Sequence, residues 1–396
     1  MFGRSVNGKF DQSGAKNLAF QLCCKYLELI GLTTVVFLPK PQSAKVFNQP
    51  QRFVAGWYWL LPSKQLKRGQ VKAVFLLGKD LAVYRTDSGR VVAVDAHCPH
   101  MGAHLAEGKV EGESLRCFFH NWRFNHDGQC VEVPCLGKSL PLKITTWPVT
   151  EAYGLIWLWT GTEPSQTLPV PPELAAQKVA STLGKNFTKA CHPNVVMVNA
   201  IDAHHFNTVH NFPVEINFKA EIINQNMINF TNTTQGGNDS LLVRLIKPFY
   251  REAGTYNLSY WFGSTGTVTL GPDFLHFYIM FTLRLGQKGQ TEGQTILLTK
   301  HRPGLWGWLF NGIILWLTNL VGNYFAKGDT KIFETIKFAL KTPLAEDRSI
   351  LEFIHHLEKQ LVLHWETWQP IDEEKLPSAP AVTNHNGGVK IHDPIH

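Results

Sequence analysis

Two short arms of metal-binding residues lie close together in this 396-residue chain. Cys98-Pro-His100 and Cys117-Phe-Phe-His120 each supply one thiol and one imidazole, with sixteen residues between them. Thiolates and neutral imidazoles suit zinc or an iron-sulfur cluster. Zinc fingers pair Cys with Cys and His with His along the chain, whereas here each arm carries one of each. The mixed arms suit a [2Fe-2S] cluster with two thiolates on one iron and two imidazoles on the other, an arrangement that raises the reduction potential. Structural zinc is the weaker alternative. Pro99 stiffens the first arm, and Gly102, Gly108 and Gly112 permit tight backbone near the sulfides. Four ligands complete such a cluster, so His97, His104 and His126 read as bystanders. Phe118, Phe119, Trp122 and Phe124 read as an apolar shell.

A second constellation follows at Asn199-Ala-Ile-Asp202-Ala-His204-His205-Phe-Asn-Thr-Val-His210. A helix is expected around 199–210, and His205 and His210 fall near one of its faces if it is slightly distorted. One added carboxylate would complete the two-histidine, one-carboxylate triad of Fe(II) oxygenases, whose open positions serve O2 and substrate chemistry. Packing or surface histidines are the alternative, and His204 does not fit the spacing. Asp202, three residues before His205, is placed to accept a hydrogen bond from the outward N–H of a ligating imidazole.

The stretch HCPHMGAHLAEGKVEGESLRCFFHNWRF closely resembles the Rieske motif in the oxygenase (alpha) component of Rieske non-haem iron oxygenases. GLIWLWTG resembles the strand that ends their Rieske domain, and Asn199, Asp202, His205 and His210 match the family's Asn-x-x-Asp-x-x-His-x-x-x-x-His motif. The resemblance covers roughly residues 50 to 365. It implies that Cys98, His100, Cys117 and His120 hold the [2Fe-2S] cluster, and that His205 and His210 hold a mononuclear Fe(II). It implies further that Asp202, with Asn199 beside it, joins a Rieske histidine of one subunit to an iron-ligating histidine of the next, in a ring-shaped homotrimer. Lys327-Gly-Asp329-Thr-Lys-Ile332-Phe333-Glu334 resembles the Asp-x-x-Ile-Trp-Glu stretch of the ketosteroid 9α-hydroxylase and cholesterol 7-desaturase branch, where that Asp is the third iron ligand. Other branches place this ligand in a Glu-Asp pair before the last helix, which makes Asp347, beside Glu346, the alternative to Asp329. The sequence departs from the pattern at Phe118 (usually Pro), Asn121 (Gly), Val198 (Glu) and Phe333 (Trp).

The activity implied is hydroxylation or desaturation of an apolar polycyclic substrate, a sterol or steroid, with O2 as co-substrate. Electrons would come from NAD(P)H through a ferredoxin and a ferredoxin reductase. Two alternatives stand beside it: an aromatic-ring hydroxylase or O-demethylase, and a non-enzymatic Rieske electron-transfer protein.

The elements expected to position these residues are α+β. Short alternating runs broken by turn residues make 46–162 an all-β Rieske domain. A catalytic domain over 163–370 is expected to hold an antiparallel sheet, from runs such as LLVRLIK, YNLSYWFG and FLHFYIMFTLRL, and a long helix over 344–364. Residues 1–45 form an extension whose apolar part, 17–38, is a candidate weak membrane anchor, and 371–396 are a polar tail. Net charge is +7, but the basic residues are scattered, which excludes a nucleic-acid groove and leaves an acidic partner or an anionic membrane surface. Seven cysteines at irregular spacing and no secretory h-region point to a cytoplasmic protein, with membrane association in view. Residues 303–326 run 24 positions without a formal charge. A single span there would part His210 from Asp329, so a buried or interfacial hairpin covering the active site is expected instead.

Overall fold

The computed structural model describes residues 46–209, 216–232, 255–271 and 275–365. The segments 17–38 and 371–396, the run LLVRLIK and His210 lie outside the described residues. Eleven short strands occupy the first part: β1 (Trp57–Pro62), β2 (Val71–Leu76), β3 (Lys79–Arg85), β4 (Val91–Asp95), β5 (Lys109–Glu111), β6 (Ser114–Arg116), β7 (Arg123–Asn125), β8 (Cys130–Glu132), β9 (Thr146–Trp147), β10 (Val149–Ala152) and β11 (Leu155–Trp159). They form antiparallel sheets in the orders β2-β3-β4-β9, β5-β6-β7-β8 and β1-β11-β10. The first two sheets enclose a core of Tyr84, Val94, Leu105, Leu115, Phe124 and Val133. Turn residues punctuate the strands where the sequence places them, as an all-β domain requires.

β11 reads Leu-Ile-Trp-Leu-Trp and is buried along its whole length. A continuous apolar run of this kind is a strand covered on both faces. Leu155, Trp157 and Trp159 pack into the core of the second part, together with Trp57 and Trp59 of β1. That second part is one seven-stranded antiparallel sheet in the order β12-β18-β17-β16-β15-β14-β13. Its strands are β12 (Val179–Lys189), β13 (Phe218–Asn224), β14 (Met227–Asn232), β15 (Thr255–Trp261), β16 (Thr265–Gly271), β17 (Phe277–Leu285) and β18 (Thr291–Lys300).

Four helices accompany it among the described residues: α1 (Pro193–Asn199), α2 (Ala203–Thr208), α3 (Gly304–Thr335) and α4 (Arg348–Leu357). Three expectations need correction. The helix around 199–210 is two helices with a break at 200–202, because the Asp202 side chain accepts hydrogen bonds from the backbone N–H of His204 and His205 and so starts a new helix. Residues 303–326 are not a hairpin but part of the single 32-residue α3, laid across β12, β17 and β18. The long C-terminal helix is shortened to α4, because Val362 leaves helical register to bridge Val54 and Leu361 is exposed.

The two parts are joined by more than apolar contact. Arg284 of β17 donates to the Leu60 carbonyl at 2.7 Å, stacks over the Trp59 ring at 4.1 Å and pairs with Glu292 at 3.0 Å. Burial disfavours the charged guanidinium, and the β1 carbonyls and Glu292 offset that cost. Arg284→Met is expected to cost about 2 kcal/mol in urea unfolding, since charged hydrogen bonds are lost and the carbonyls of β1 stay buried.

Candidate metal centres

The two ligand arms adopt matching loops. In the first, the Gly102 N–H donates to the Cys98 carbonyl at 2.8 Å and the Cys98 N–H to the Ala103 carbonyl at 2.9 Å. In the second, the Asn121 N–H donates to the Cys117 carbonyl at 3.1 Å and the Cys117 N–H to the Trp122 carbonyl at 2.9 Å. The fifth residue of each loop is left-handed, Gly102 at φ +75° and Asn121 at φ +58°. Asn is the side-chain-bearing residue that best tolerates this region, which explains how position 121 departs from the resembled pattern without changing the loop. Gly108 holds the arms close: a Cβ there would lie 2.1 Å from the Arg116 carbonyl oxygen.

Cys98 and Cys117 are buried, whereas His100 and His120 are exposed with ring centroids 4.5 Å apart. The thiols therefore line the inner end of the site and the imidazoles its outer end. Burial, with the adjacent Cys117 adding to it, pushes the Cys98 thiol up to about 12. Two neighbouring thiols in that setting ionise only with cationic charge between them, which iron supplies. Burial and the nearby His120 ring lower the pKa of His100, favouring the neutral imidazole that a metal needs. The donor set and its placement fit a [2Fe-2S] cluster.

Other residues near the arms have structural employment. His104 accepts from the Ala106 N–H, His97 bonds the Gly102 carbonyl oxygen, and His126 lies beside Asp127. Phe124 is buried, but Phe118 and Phe119 are exposed and do not form the expected shell, because the second arm turns outward to present His120. Trp122 instead stacks flat on His100 at 4.4 Å. An aromatic two residues beyond a ligand was visible in the sequence; its partner was not, since that pairing crosses between the arms.

The second centre is assembled from three helices. Tyr260 of β15 donates to the Met197 carbonyl at 2.7 Å and fixes α1 on the sheet; Ser349 of α4 donates to the Ile201 carbonyl at 2.7 Å and fixes the elbow before α2. His205 is buried on α2, and its Nδ1 lies 2.6 Å from the Asp202 backbone oxygen. The expected bond from the Asp202 carboxylate to this ring is not the one formed, because that carboxylate caps α2. Nε2 is thereby turned inward, 3.5 Å from Asn199 Nδ2 and 3.8 Å from Asp329 Oδ1 of α3. Two donors each about 2.1 Å from one ion stand about 3 to 4 Å apart, so His205 and Asp329 fit a shared metal. Burial and the Asp329 charge push the Tyr256 phenol above its ordinary range, leaving a protonated hydroxyl in the same region.

The alternative carboxylate, Asp347, accepts from the Leu344 N–H at 2.8 Å at the start of the last helical segment, and Glu346 beside it is exposed. Among the described residues no three His, Cys, Asp or Glu side chains gather around one point, and His210 lies outside them. Lys189 was not singled out in the sequence. Its Nζ donates to the Thr330 hydroxyl at 3.0 Å and lies over the Phe333 ring at 5.2 Å, pinning the turn of α3 that carries Asp329. No local motif marks it, because its partners come from the far end of the chain.

Residues 56–148 match the Rieske [2Fe-2S] domain family. The first part of the chain is thus a Rieske [2Fe-2S] domain, and it is followed by a seven-stranded antiparallel sheet with helices. Among curated proteins, it is 40% identical over 169 residues to cholesterol 7-desaturase of Bombyx mori, covering 41% of this chain and 36% of that one. It is 33% identical over 175 residues to the probable 3-ketosteroid-9-alpha-monooxygenase oxygenase component of Rhodococcus rhodochrous, covering 42% of this chain and 43% of that one. The matches thus span less than half the length of these relatives. Among solved structures, NdmA of Pseudomonas putida CBB5 with caffeine superposes with a TM-score of 0.58 at 16% identity, covering 79% of this chain and 97% of that one. Dicamba monooxygenase bound to dicamba gives 0.52 at 18% identity, with the same coverage. At such identities the likeness is one of fold.

The left-handed position 121 provides a test of the second arm. Asn121→Gly is expected to leave the unfolding midpoint and the visible cluster absorbance unchanged, whereas Asn121→Val should cost about 1–2 kcal/mol and lower the absorbance per chain.

Proposed function

We propose that this chain is the oxygenase component of a Rieske-type monooxygenase or desaturase that uses O2 to hydroxylate or desaturate a sterol or steroid. The observation that carries the reading is the approach of His205 Nε2 to Asp329 Oδ1, in a chain that also holds a Rieske domain. A carrier needs only the latter. Cys98, His100, Cys117 and His120 hold the cluster; His205, His210 and Asp329 hold the mononuclear Fe(II). When bound, the cluster would supply a one-electron store fed from NAD(P)H through a ferredoxin or reductase, and the Fe(II) would supply O2 chemistry.

The protein's own residues have separable tasks. The Asp202 carbonyl holds the proton on His205 Nδ1, which leaves Nε2 free to ligate. The two exposed imidazoles put the outer end of the cluster site at the surface, where a neighbouring subunit of a homotrimer would meet it. Asp202 would bridge there, with its carboxylate half-exposed at the start of α2. Asn199 sits beside that nitrogen of His205, with its amide 3.5 Å away. We place the protein in the cytoplasm, in peripheral contact with a membrane, where an apolar polycyclic substrate would dissolve.

The sterol reading is supported by the names of the curated relatives, cholesterol 7-desaturases and ketosteroid 9-alpha-monooxygenases. The aromatic or O-demethylase alternative rests on fold neighbours alone. Mass spectrometry of products after incubation with sterols and aromatics side by side, with O2 and a reducing partner, is expected to find an oxidised sterol.

Metal analysis is expected to give three irons per chain, against two for an electron carrier. Asp329→Ala should lower it to two and abolish turnover, while Asp347→Ala should retain three. Asp202→Asn keeps a good helix cap, so it isolates the bridge from the fold. It is expected to retain all three irons and slow turnover by at least about tenfold, read as product per unit time.

A further inference from the structure

Helix α3 is apolar on the face it turns to solvent. Its inward stripe carries Asn311, Ile314 and Thr318, all buried. Asn311 is engaged there with Arg302, accepting from Nη1 at 3.2 Å, and the Thr318 hydroxyl donates to the Ile314 carbonyl. The outward face at i, i+4 spacing carries Trp308, Gly312, Trp316, Leu320 and Tyr324, flanked by Leu305, Trp306, Leu309 and Ile313. Exposure is 81% for Trp306, 78% for Leu305, 71% for Trp308 and 60% for Trp316. Between Trp308, Ile313 and Trp316 the surface sinks into an apolar groove of about 230 Å³. A contiguous apolar patch of this extent marks an interaction surface.

We infer that this face of α3 seats the protein on an anionic lipid bilayer, with the helix lying in the interfacial plane. Length and composition of Gly304–Tyr324 would suffice for a span, but α3 lies along β12, β17 and β18, and Asp329 at its far end stands beside His205. One side of the helix therefore stays on the protein. The outward side offers three indole N–H groups and a phenol on an apolar ground, the mixture favoured at the headgroup boundary.

Charge selects the partner. Lys300 and His301 are exposed at one end of the apolar run, where Arg302 stacks over Phe310 at 4.8 Å. Lys331, Lys337 and Lys341 are exposed beyond the other end, with Glu334 among them. Both ends are thus basic. Two copies pairing through this face, parallel or antiparallel, would bring like charges together, whereas anionic headgroups would neutralise both ends at once. The inference does not depend on which substrate is oxidised.

The test uses the full-length, metal-loaded protein without substrate. Wild type is expected to sediment with vesicles of phosphatidylcholine mixed with phosphatidylglycerol, and poorly with phosphatidylcholine alone. Phosphatidylglycerol with brominated chains should quench its tryptophan fluorescence. The variant Trp306→Ser/Trp308→Ser/Trp316→Ser, with its visible cluster spectrum and thermal midpoint retained, should bind the anionic vesicles about tenfold less tightly and lose the quenching. Residues 1–45 contain no tryptophan, so contact through that segment leaves the fluorescence unquenched. If the triple variant fails to fold, the single variants Trp306→Ser and Trp308→Ser take its place, each expected to lose part of the quenching. Absence of vesicle binding, binding without quenching, binding unchanged in the variant, or self-association that the variant abolishes without any vesicle binding would overturn the inference. Product formation from sterols is measured separately, so a failed substrate assignment would not be mistaken for a failed bilayer seat.

Discussion

The 3.8 Å approach of His205 to Asp329 is the constraint around which the second half of the chain is arranged. One side chain lies on a two-turn helix and the other near the end of a helix of nine turns, so neither can find the other unless both are anchored to a third body. The seven-stranded sheet is that body. Tyr260 fastens α1 to it, Ser349 fastens the elbow, and Lys189 reaches from the end of β12 to the turn of α3 beside Asp329. Each anchor is a single charged or buried hydroxyl bond, individually modest in free energy but decisive for position. Capping by Asp202 then sets the rotation of α2, and its carbonyl sets the His205 ring.

The Rieske domain solves a different problem. Two thiols side by side in a core are costly to ionise, and the surrounding sheets supply no basic side chain among the described contacts of Cys98 that would ease it. Cationic charge has to come from what the thiols bind. The imidazoles face the opposite demand, since they must reach the surface, and for His100 partial desolvation and the nearby His120 ring favour the neutral form there. The left-handed fifth residues make the arms fold back sharply enough for inside thiol and outside imidazole to lie within one loop.

How much of this was legible in the sequence depends on how local the cause was. The ligand arms were readable because Cys and His sit within two or three residues of each other. The strand Leu155–Trp159 was readable because burial on both faces leaves a continuous apolar run. The break at 200–202 was less so: Asp202 is a strong cap residue, but its place inside the Asn199-to-His210 motif favoured one unbroken helix. For 303–326, the need to keep His210 and Asp329 together suggested a hairpin, yet a straight helix laid on the sheet meets it equally, with Asn311 absorbed by Arg302 and Gly322 in close contact with Ile279. Those partners are tertiary, and no window of sequence contains them.

The continuity of α3 has a mechanical consequence for the site. Tyr324, the last large side chain of the outward face, and Asp329 are five residues apart, which is about 7.5 Å along the axis. A helix without a break transmits displacement along its length, so whatever fixes the outward face also fixes the carboxylate that faces His205. A hairpin would have decoupled the two, with a turn to absorb motion. The single helix, held by β12, β17 and β18 on one side, makes the exposed apolar surface and the side chain that faces His205 parts of one rigid element. A displacement of the outward face would therefore reach the carboxylate and change its approach to His205, which a hairpin would have prevented.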